Sequence, residues 1–425
     1  MSSSRGASNA GSRIGSSFSL TPPCSIRRRA SPWDEARRAA HTAGAALTIA
    51  PTARPLTEAE HAILAEPLVT RTDLPAFRTA SMDGWAVRGQ EPWRIVGRVL
   101  AGAPAAPLTE DGTCAEIATG AEVPDGTVQI VRSENSRTVD GRVTGSARAT
   151  KEWREPGEEA RRGEELLPVG TPVTPGVIGL AASCGYDALV VRPAARAALL
   201  VFGDELLTSG LPGDGRVRDA LGPSMPAWLR RLGADPASAA IRPVEDTLGA
   251  HVEALRQALA DGADLVCTTG GTMRGPADRL HPALRRLGAR YLINTVEVRP
   301  GFPMLLASVG RPDGGRALVA GLPGNPQSAV VALMSLVAPA LAGLTGRVLP
   351  PLGRIRLTGP VAGRGGYTHL ALVDSDGAAV PHVGSAMLRG LARAVGFAVI
   401  PPGGAGSPGD EVALVPLPLL PEERL

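Results

Sequence analysis

Aromatic side chains and cysteines are scarce in this chain of 425 residues. Phe, Trp and Tyr make up 3% of it, so the cores must be built from Ala, Val and Leu, and a stacking surface for single-stranded nucleic acid is not expected. The four cysteines are far apart: Cys24, Cys114, Cys184 and Cys267. Because they form no C-x-x-C pair, we expect neither a disulfide framework nor a zinc site, but reduced, mostly buried thiols in a cytoplasmic protein.

Long hydrophobic runs and a large excess of one charge are also lacking. The most apolar long segment, Ala329–Leu344, is short for a membrane span and contains Pro339, so it predicts a core helix and no membrane partner. The net charge is only +3, and several arginines lie in the first 38 residues, so no nucleic-acid partner is expected. Residues 1–30 are rich in Ser, Gly and Arg without the apolar stretch of a signal peptide, which predicts a disordered extension.

Helical spacing and then short strands follow this extension. From Trp33 to about Leu68, Ala, Leu and Ile recur at helical spacing, and a polar loop comes next. Four short β-rich runs follow: Trp93–Ala101, Thr113–Ala118, Val128–Arg132 and Arg137–Val143. Evenly spaced runs of this kind, separated by Gly and Pro, predict a small β barrel or sandwich.

From about Arg196 the pattern changes to alternating strands and helices. Ala197–Phe202 and Asp264–Thr269 are apolar runs, as for strands covered on both faces. One stripe of a helix lies between them: Leu248, Val252, Leu255 and Leu259. Two further apolar runs are Met304–Val309 and Ala317–Ala320. This alternation predicts an α/β region with a parallel, doubly wound sheet, and the short strands after Leu349 predict a C-terminal β domain.

Two glycine-rich loops follow predicted strands of this sheet, where open parallel sheets bind ligands. They are Thr268–Asp278 and Gly321–Ser328. Glycine lets the backbone come close to a ligand, and backbone N–H groups with threonine hydroxyls suit an anion. The residues of the first loop that would contact such a ligand are Thr269, Gly270, Gly271 and Thr272.

Acidic side chains flank these loops. Glu205 comes shortly after a predicted strand, Asp278 precedes a predicted helix, and Asp83 stands beside Gly84 in an earlier loop. Local sequence leaves two interpretations open for each: an ordinary cap or turn residue, or a functional carboxylate. Carboxylates brought together in this way can hold a hard cation such as Mg²⁺, whereas no histidine cluster indicates a soft-metal site.

Eight short motifs, in a fixed order, occur between residue 33 and about residue 400. They are Leu74–Arg88, Ala118–Gly126, Arg154–Glu159, Gly203–Leu206, Gly215–Asp219, Gly270–Asp278, Arg299–Pro303 and Leu322–Pro326. In this combination the chain resembles the molybdopterin molybdenumtransferase family, which includes the E domain of gephyrin.

The resemblance implies an α/β multidomain fold with four parts after the extension over residues 1–30. These parts are an elongated N-terminal domain (31–89 and 158–194), an inserted β domain (90–157), a doubly wound parallel-sheet molybdopterin-binding domain (195–347) and a C-terminal β domain (348–425).

The resemblance also implies an enzyme of molybdenum cofactor biosynthesis. Members of the family use Mg²⁺ to insert molybdate into adenylylated molybdopterin, with release of AMP. They are homodimers whose active site lies between the α/β domain of one subunit and the N-terminal part of the other. Molybdopterin adenylyltransferase and acceptor molybdoenzymes are the further partners implied. Adenylyl transfer to molybdopterin uses a related α/β domain, but the N-terminal loops and the inserted β domain argue against that reaction here.

Candidate site residues are carried over from the matching motifs. The catalytic set is Asp83, Glu205 and Asp278. The substrate-binding set is Thr119, Arg154, Thr269, Gly270, Gly271, Thr272, Arg299 and Ser385. The metal ligands are Asp246, Glu205 and Asp278, and Glu159 stands where the family usually has Asp.

The chain departs from the family pattern where anions should bind. Lysines are usual at Thr295 and Phe302, and an arginine is usual at Leu372. Each lost charged hydrogen bond to an anion costs roughly 1.5–3 kcal/mol. The alternative to an active enzyme is therefore a divergent, catalytically weakened paralogue that binds molybdopterin or acts as a scaffold. Arg274 and Arg389, at positions that are usually uncharged, would restore positive potential.

Overall fold

A computed structural model describes residues 30–236, 243–272 and 278–419. The N-terminal part contains strand β1 (Ser31–Pro32), helix α1 (Trp33–Ala45) and strands β2 (Thr52–Pro55), β3 (Ile63–Leu64), β4 (Leu68–Val69) and β5 (Thr79–Ala80). The helical spacing from Trp33 to about Leu68 thus gives a helix only as far as Ala45. Pro51 and Pro55 follow it, and because proline lacks a backbone N–H donor the helix cannot continue through them.

The inserted region is rich in β strands, as predicted, but they form one six-stranded sheet rather than the predicted small barrel or sandwich. Its strands are β6 (Gly84–Arg88), β7 (Trp93–Val99), β8 (Thr113–Ile117), β9 (Gln129–Arg132), β10 (Ser136–Val139) and β11 (Arg142–Gly145), in the order β10-β11-β7-β8-β6-β9. The run Arg137–Val143 was predicted as one strand but forms a hairpin. Asp140 (φ +45°) and Gly141 (φ +74°) occupy its turn, where two successive positive φ angles reverse the chain tightly.

The chain then returns to its N-terminal part. The returning elements are β12 (Trp153–Arg154), β13 (Glu165–Leu167), helix α2 (Pro175–Ser183) and β14 (Ala188–Arg192). β12 pairs with β5, β13 with β4, and β14 with β2 and β3. The segments on either side of the insertion therefore fold together.

The α/β region supplies the central sheet. Its elements are β15 (Ala195–Val201), β16 (Leu206–Leu207), β17 (Val217–Arg218), α3 (Leu221–Arg231), β18 (Ala234–Pro236), α4 (Leu248–Ala260), β19 (Leu265–Thr269), α5 (Leu280–Arg286), β20 (Arg290–Asn294), β21 (Val296–Arg299), β22 (Leu305–Gly310), β23 (Arg316–Leu322), α6 (Pro326–Ala332) and α7 (Ala338–Leu344). A π-helical turn, Leu333–Val337, joins α6 to α7 directly before Pro339.

This central sheet is mixed rather than wholly parallel. Its order is β18-β15-β19-β23-β22-β20, and the first four strands are parallel while β22 and β20 are antiparallel to their neighbours. Only residues 311–315 separate β22 from β23, and a connection of that length permits a hairpin but not a parallel crossover. The prediction of an all-parallel sheet is therefore corrected at one edge.

Helices cover both faces of the sheet. The core on one face includes side chains of α4 and α5, and the core on the other includes α1, α3, α6 and α7. Helix α1 approaches α7 closely at Gly44 and Gly343, where a Cβ atom would collide with the opposite backbone. The segment Pro326–Leu344 is long and apolar enough to cross a membrane, but it is completely buried in the protein, in agreement with the predicted core helix.

The C-terminal sheet reaches into the α/β region. Its own strands are β24 (Gly353–Arg356), β25 (Thr368–Val373), β26 (Gly396–Ile400) and β27 (Glu411–Pro416), and the full order is β1-β21-β25-β26-β27-β24. Two strands from earlier in the chain therefore complete this sheet.

The cysteines behave as expected within the described residues. Cys114, Cys184 and Cys267 are buried and unpaired. Burial raises the pKa of the Cys114 thiol to about 11 and that of Cys267 to about 12. Cys24 lies outside the described residues.

Candidate active site

Three parallel strands end side by side in the central sheet. Val201 of β15 pairs with Thr269 of β19, which pairs with Leu322 of β23. The three loops that follow, 202–205, 270–272 and 323–325, therefore emerge from one edge of the sheet. They border a cleft of about 1480 Å³, which the C-terminal sheet closes on its far side. Nine of the predicted site residues line this cleft: Glu205, Asp246, Thr269, Gly270, Gly271, Thr272, Asp278, Arg299 and Ser385.

The loop after β19 requires its two glycines. Gly270 and Gly271 have φ angles of +88° and +65°, a region that side chains with a Cβ disfavour. A Cβ on Gly271 would also lie 3.2 Å from the Cβ of Leu280 and 3.5 Å from Asp278 Oδ1. The glycines thus let the loop turn sharply against the start of α5, with Thr269 and Thr272 buried on either side.

Asp278 combines two roles that the sequence left as alternatives. Its Oδ1 accepts a hydrogen bond from the backbone N–H of Leu280 (3.0 Å), so it does cap the start of α5. Its Oδ2 is buried and accepts no hydrogen bond from the described residues, the Nε2 of His281 lies 3.9 Å from it, and only 6% of the side chain is exposed. Burial raises the pKa of Asp278 above its ordinary value, although the backbone amides of His281 and Leu280 act in the opposite direction. A buried carboxylate oxygen without a partner is free to bind a cation or a donor on a ligand.

Two further acids line the cleft. The Glu205 carboxylate lies over Gly203 (φ +144°), where a Cβ would be 2.7 Å from Glu205 Oε2. The backbone N–H of Asp246 donates to Asp204 Oδ1 (3.1 Å), which ties the chain after β18 to the loop after β15. The topology therefore brings Glu205 and Asp246 to the same end of the sheet as Asp278.

A buried histidine behind these acids was not singled out from the sequence. His251 of α4 stacks on Phe202 with ring centroids 3.7 Å apart. Its Nδ1 hydrogen-bonds the Thr247 carbonyl oxygen (2.9 Å), and its Nε2 is 3.7 Å from Asp246 Oδ1. Burial lowers the pKa of His251, which favours the neutral imidazole. Because His251 lies among the apolar residues of α4, the local sequence did not mark it as a functional residue.

The opposite wall of the cleft carries cationic and aromatic side chains. The Arg299 guanidinium lies 4.5 Å from the Tyr367 ring centroid and 5.2 Å from that of Phe302. Arg218 and Arg364 also line the cleft. Sequence reasoning selected only Arg299 of these residues, and the loop before β25 that holds Arg364 and Tyr367 matched no motif. Arg389 is exposed and Arg274 lies outside the described residues.

Ser385 reaches the cleft through contacts between the C-terminal domain and α6. The backbone N–H of Ser328 donates to the Ser385 carbonyl oxygen (3.3 Å), and Asn325 Nδ2 donates to Ser385 Oγ (3.3 Å). The backbone N–H of Gly384 donates to Gln327 Oε1 (3.2 Å). The loop around Ser385 is therefore held over the Pro-Gly-Asn-Pro turn.

Three predicted residues lie outside the cleft, in the N-terminal half. Asp83 Oδ1 accepts hydrogen bonds from the backbone N–H of Thr119 (2.6 Å) and from its hydroxyl (2.8 Å). These bonds lower the pKa of Asp83. Arg154 and Glu159 are exposed in the segment that returns from the inserted sheet. One copy of the chain does not bring Asp83, Thr119 and Arg154 to the other site residues.

The acids of the cleft fit a magnesium ion that is shared with a ligand. Among the described residues, no group of three or more His, Cys, Asp or Glu side chains is arranged to hold a metal by itself. Mg²⁺ commonly uses one or two carboxylates together with substrate phosphates and waters, so a closed cage is not required. Asp278 Oδ2, which accepts no hydrogen bond from the described residues, is a suitable oxygen ligand of this kind.

Comparison with known proteins supplies the family. Residues 31–185 match the family model described as the MoeA N-terminal region (domain I and II), and residues 198–343 match one described as a probable molybdopterin binding domain. The molybdopterin molybdenumtransferase of Synechococcus elongatus is 32% identical over 313 residues, which cover 70% of this chain and 76% of that protein. This chain belongs to the molybdopterin molybdenumtransferase family. It is therefore related to transferases of molybdenum cofactor biosynthesis, as the motifs predicted.

Other members and solved structures agree with this membership. The molybdopterin molybdenumtransferase of Haemophilus influenzae is 29% identical over 69% of this chain and 72% of its own length. The crystal structure of a molybdopterin biosynthesis MoeA protein from Pyrococcus horikoshii has a TM-score of 0.73 and 22% identity, covering 92% of this chain and all of that one. At that identity the structure confirms the multidomain α/β fold of the family and nothing finer.

Proposed function

We propose that the cleft inserts molybdenum into molybdopterin, with adenylylated molybdopterin and molybdate as substrates and AMP as a product. The family membership supports the molybdenum transfer. The observation that carries the proposal is the meeting of a glycine-lined loop with the carboxylates Glu205, Asp246 and Asp278 at one end of the central sheet. The described part of the cleft offers both groups that bind anions and acids that bind a cation.

Each wall of the cleft has a separate task in this proposal. The backbone N–H groups around Gly270 and Gly271, with the hydroxyls of Thr269 and Thr272, would bind a phosphate. Arg299 would bind a second anionic group from the opposite wall. Asp278, Glu205 and Asp246 would share Mg²⁺ with the substrate phosphates, whose charge the ion neutralises when it is bound. Through that ion the carboxylates would keep the phosphoanhydride in place while an oxygen of water or molybdate attacks phosphorus and AMP leaves.

The position of Asp83, Thr119 and Arg154 supports a second part of the proposal, a homodimer. These residues lie outside the cleft of their own subunit, while the cleft is open to solvent. A two-fold dimer presents the same surface of each subunit to the other, so one subunit's N-terminal half can complete its partner's cleft.

We also propose a cytoplasmic location, to which the buried, unpaired thiols of Cys114, Cys184 and Cys267 are suited. Molybdopterin adenylyltransferase would supply the substrate, and acceptor molybdoenzymes would receive the product.

The test is a reconstituted reaction. Purified protein receives adenylylated molybdopterin, molybdate and Mg²⁺, and both AMP release and molybdenum cofactor formation are measured. We expect both products, and both should disappear when Mg²⁺ is chelated. Binding of adenylylated molybdopterin without AMP release would support the scaffold alternative. No binding would reject the proposed substrate.

A further inference from the structure

Two of the few aromatic rings of this chain converge on one arginine in the cleft. The protein has only 5 Phe and 3 Tyr among 425 residues. Phe302 and Tyr367 meet edge to face, with ring centroids 5.7 Å apart, and both contact the guanidinium of Arg299. These three residues form what we call the arginine clamp.

The two rings contact the guanidinium without using its N–H donors. A guanidinium above an aromatic ring is attracted to the π-electrons and needs no N–H donor for that contact. Among the described residues, the Arg299 guanidinium makes neither a hydrogen bond nor an ion pair with the protein. Its N–H donors therefore remain available in the cleft, in the fork geometry that matches a planar or tetrahedral oxyanion.

Strand pairing between two domains builds the clamp. Arg299 ends β21, and its neighbour Val298 pairs in parallel with Thr368 of β25. Arg299 itself pairs with His369, and Tyr367, two residues before His369 and on the same face, is the diagonal neighbour of Arg299. Phe302 follows the turn after β21, and this turn is held by Gly301 (φ +102°), where a Cβ would crowd Met304 and Val331. The clamp is thus part of the β21–β25 junction rather than a chance surface contact.

We propose that Phe302 and Tyr367 are positioning residues, which hold the Arg299 guanidinium in the orientation that binds a phosphate oxyanion of the substrate. This inference rests on the proposed function and adds the device that orients the cation. A flexible side chain loses rotamer freedom when it binds an anion, and a side chain that is already held loses less. An oriented arginine can in this way offset the missing lysine at position 302.

The experiment separates the arginine from the rings that hold it. Phe302→Leu and Tyr367→Leu remove one ring each, Tyr367→Phe keeps the ring without the hydroxyl, and Arg299→Ala removes the cation. Binding of adenylylated molybdopterin and of inorganic phosphate is measured by calorimetry, and KM and kcat are taken from AMP release. We expect each leucine variant to raise Kd and KM by roughly three- to thirtyfold with kcat nearly unchanged. Tyr367→Phe should match the parent protein, because the ring face is retained.

A control variant tests for a general loss of stability. Arg71 lies 3.7 Å from the Tyr186 ring centroid in the N-terminal half, outside the cleft. Tyr186→Leu should lower thermal stability without changing Kd for either ligand. If Tyr186→Leu is less stable and still binds both ligands as the parent does, a loss of stability in Phe302→Leu or Tyr367→Leu does not by itself explain weaker binding.

The outcomes distinguish this inference from the proposed function. If Arg299→Ala weakens binding and the two leucine variants do not, the clamp has no positioning role, while the phosphate site stands. If a leucine variant lowers kcat and leaves KM unchanged, positioning of a binding group is also the wrong description. If Arg299→Ala leaves both Kd values unchanged, the anion-binding role of this wall is wrong and the inference fails with it.

Discussion

The two acidic centres of this chain, around Asp278 and around Asp83, differ in what their surroundings provide. Asp278 is buried at the end of the central sheet, and one of its oxygens accepts no hydrogen bond from the described residues. Asp83 is exposed on the inserted sheet, and both bonds to its Oδ1 come from Thr119. Burial raises the pKa of Asp278, whereas the hydrogen bonds from Thr119 lower the pKa of Asp83.

This difference separates a carboxylate that needs a ligand from one that is already stabilised. A buried carboxylate with a free oxygen lowers its energy by binding a cation, so Asp278 is suited to the reaction centre. An exposed carboxylate that accepts two hydrogen bonds stays ionised and oriented at low energetic cost. Asp83 is therefore suited to contact the cleft of a second copy of the chain. The comparison leads to four predictions, in decreasing order of expected effect.

The largest effect is expected for Asp278→Asn. This substitution keeps the shape and the acceptor at the start of α5 but removes the charge that balances a cation, so AMP release should fall by roughly a hundredfold or more. The melting temperature should stay the same or rise, because burial disfavours the ionised form that the variant no longer has. Asp313→Asn, at an exposed turn far from the cleft, is the control and should leave the rate unchanged. A variant with undiminished turnover would remove Asp278 from the catalytic set.

The second prediction joins the two centres across a dimer. Asp83→Asn and Asp278→Asn should each be inactive, and after subunit exchange the mixture should recover about a quarter of the parent activity. Half of the dimers are then heterodimers, and each has one cleft with both acids intact. Activity assays before and after exchange measure the recovery. If both variants are inactive and the mixture recovers no activity although heterodimers form, Asp83 and Asp278 serve the same cleft from one subunit; an active Asp83→Asn variant would show that Asp83 is not needed.

The third prediction separates backbone strain from contact with the cleft. Gly271 and Gly288 have nearly equal φ angles, +65° and +64°, but only Gly271 has neighbours within 4 Å of an added Cβ. Both alanine variants should lose about 1–2 kcal/mol of stability from the left-handed backbone. Of the two variants, only Gly271→Ala should raise KM. This is measured from AMP release at increasing concentrations of adenylylated molybdopterin. Equal KM values for the two variants would show that the loop after β19 does not bind substrate.

The smallest effect is expected for the contribution of Glu155, the residue after Arg154, to stability. Hydrogen bonds from Lys151 and Trp153, followed by one from Arg78, hold the pKa of Glu155 at about 2, against an ordinary value of 4.5. Because the folded-state pKa is depressed, this stabilisation is fully present above pH 4.5 and is lost as the pH falls towards 2. The side chain is 37% exposed, so Glu155→Gln should cost less than about 1 kcal/mol at pH 7. Chemical unfolding at several pH values should show the parent and variant converging in acid, and a constant difference would contradict this cause.

Much of the candidate site could be selected from the local sequence because its residues follow strand ends directly, and their roles stay predictions. Nine of the twelve site positions selected from the motifs line one cleft. Gly270 and Gly271 were identifiable because an L side chain disfavours the backbone that this loop adopts. His251 and Tyr367 were not identifiable, since a histidine on a helix and a tyrosine before a strand have many ordinary roles. Whether Glu205, Asp246 and Asp278 bind a metal stays a prediction.

What the sequence determined by itself is the set of elements and the loops that carry the chemistry, because turns, strand periodicity and motif spacing depend on neighbouring residues. What only the tertiary structure decided is which strands share a sheet. Strand β21 leaves the α/β region to pair with β25, and α1 packs on α7 across some 300 positions of chain. Such pairings depend on surfaces that meet after folding, so no local pattern encodes them. The same long-range contacts set Tyr367 against Arg299 and leave Asp83 outside the cleft of its own subunit.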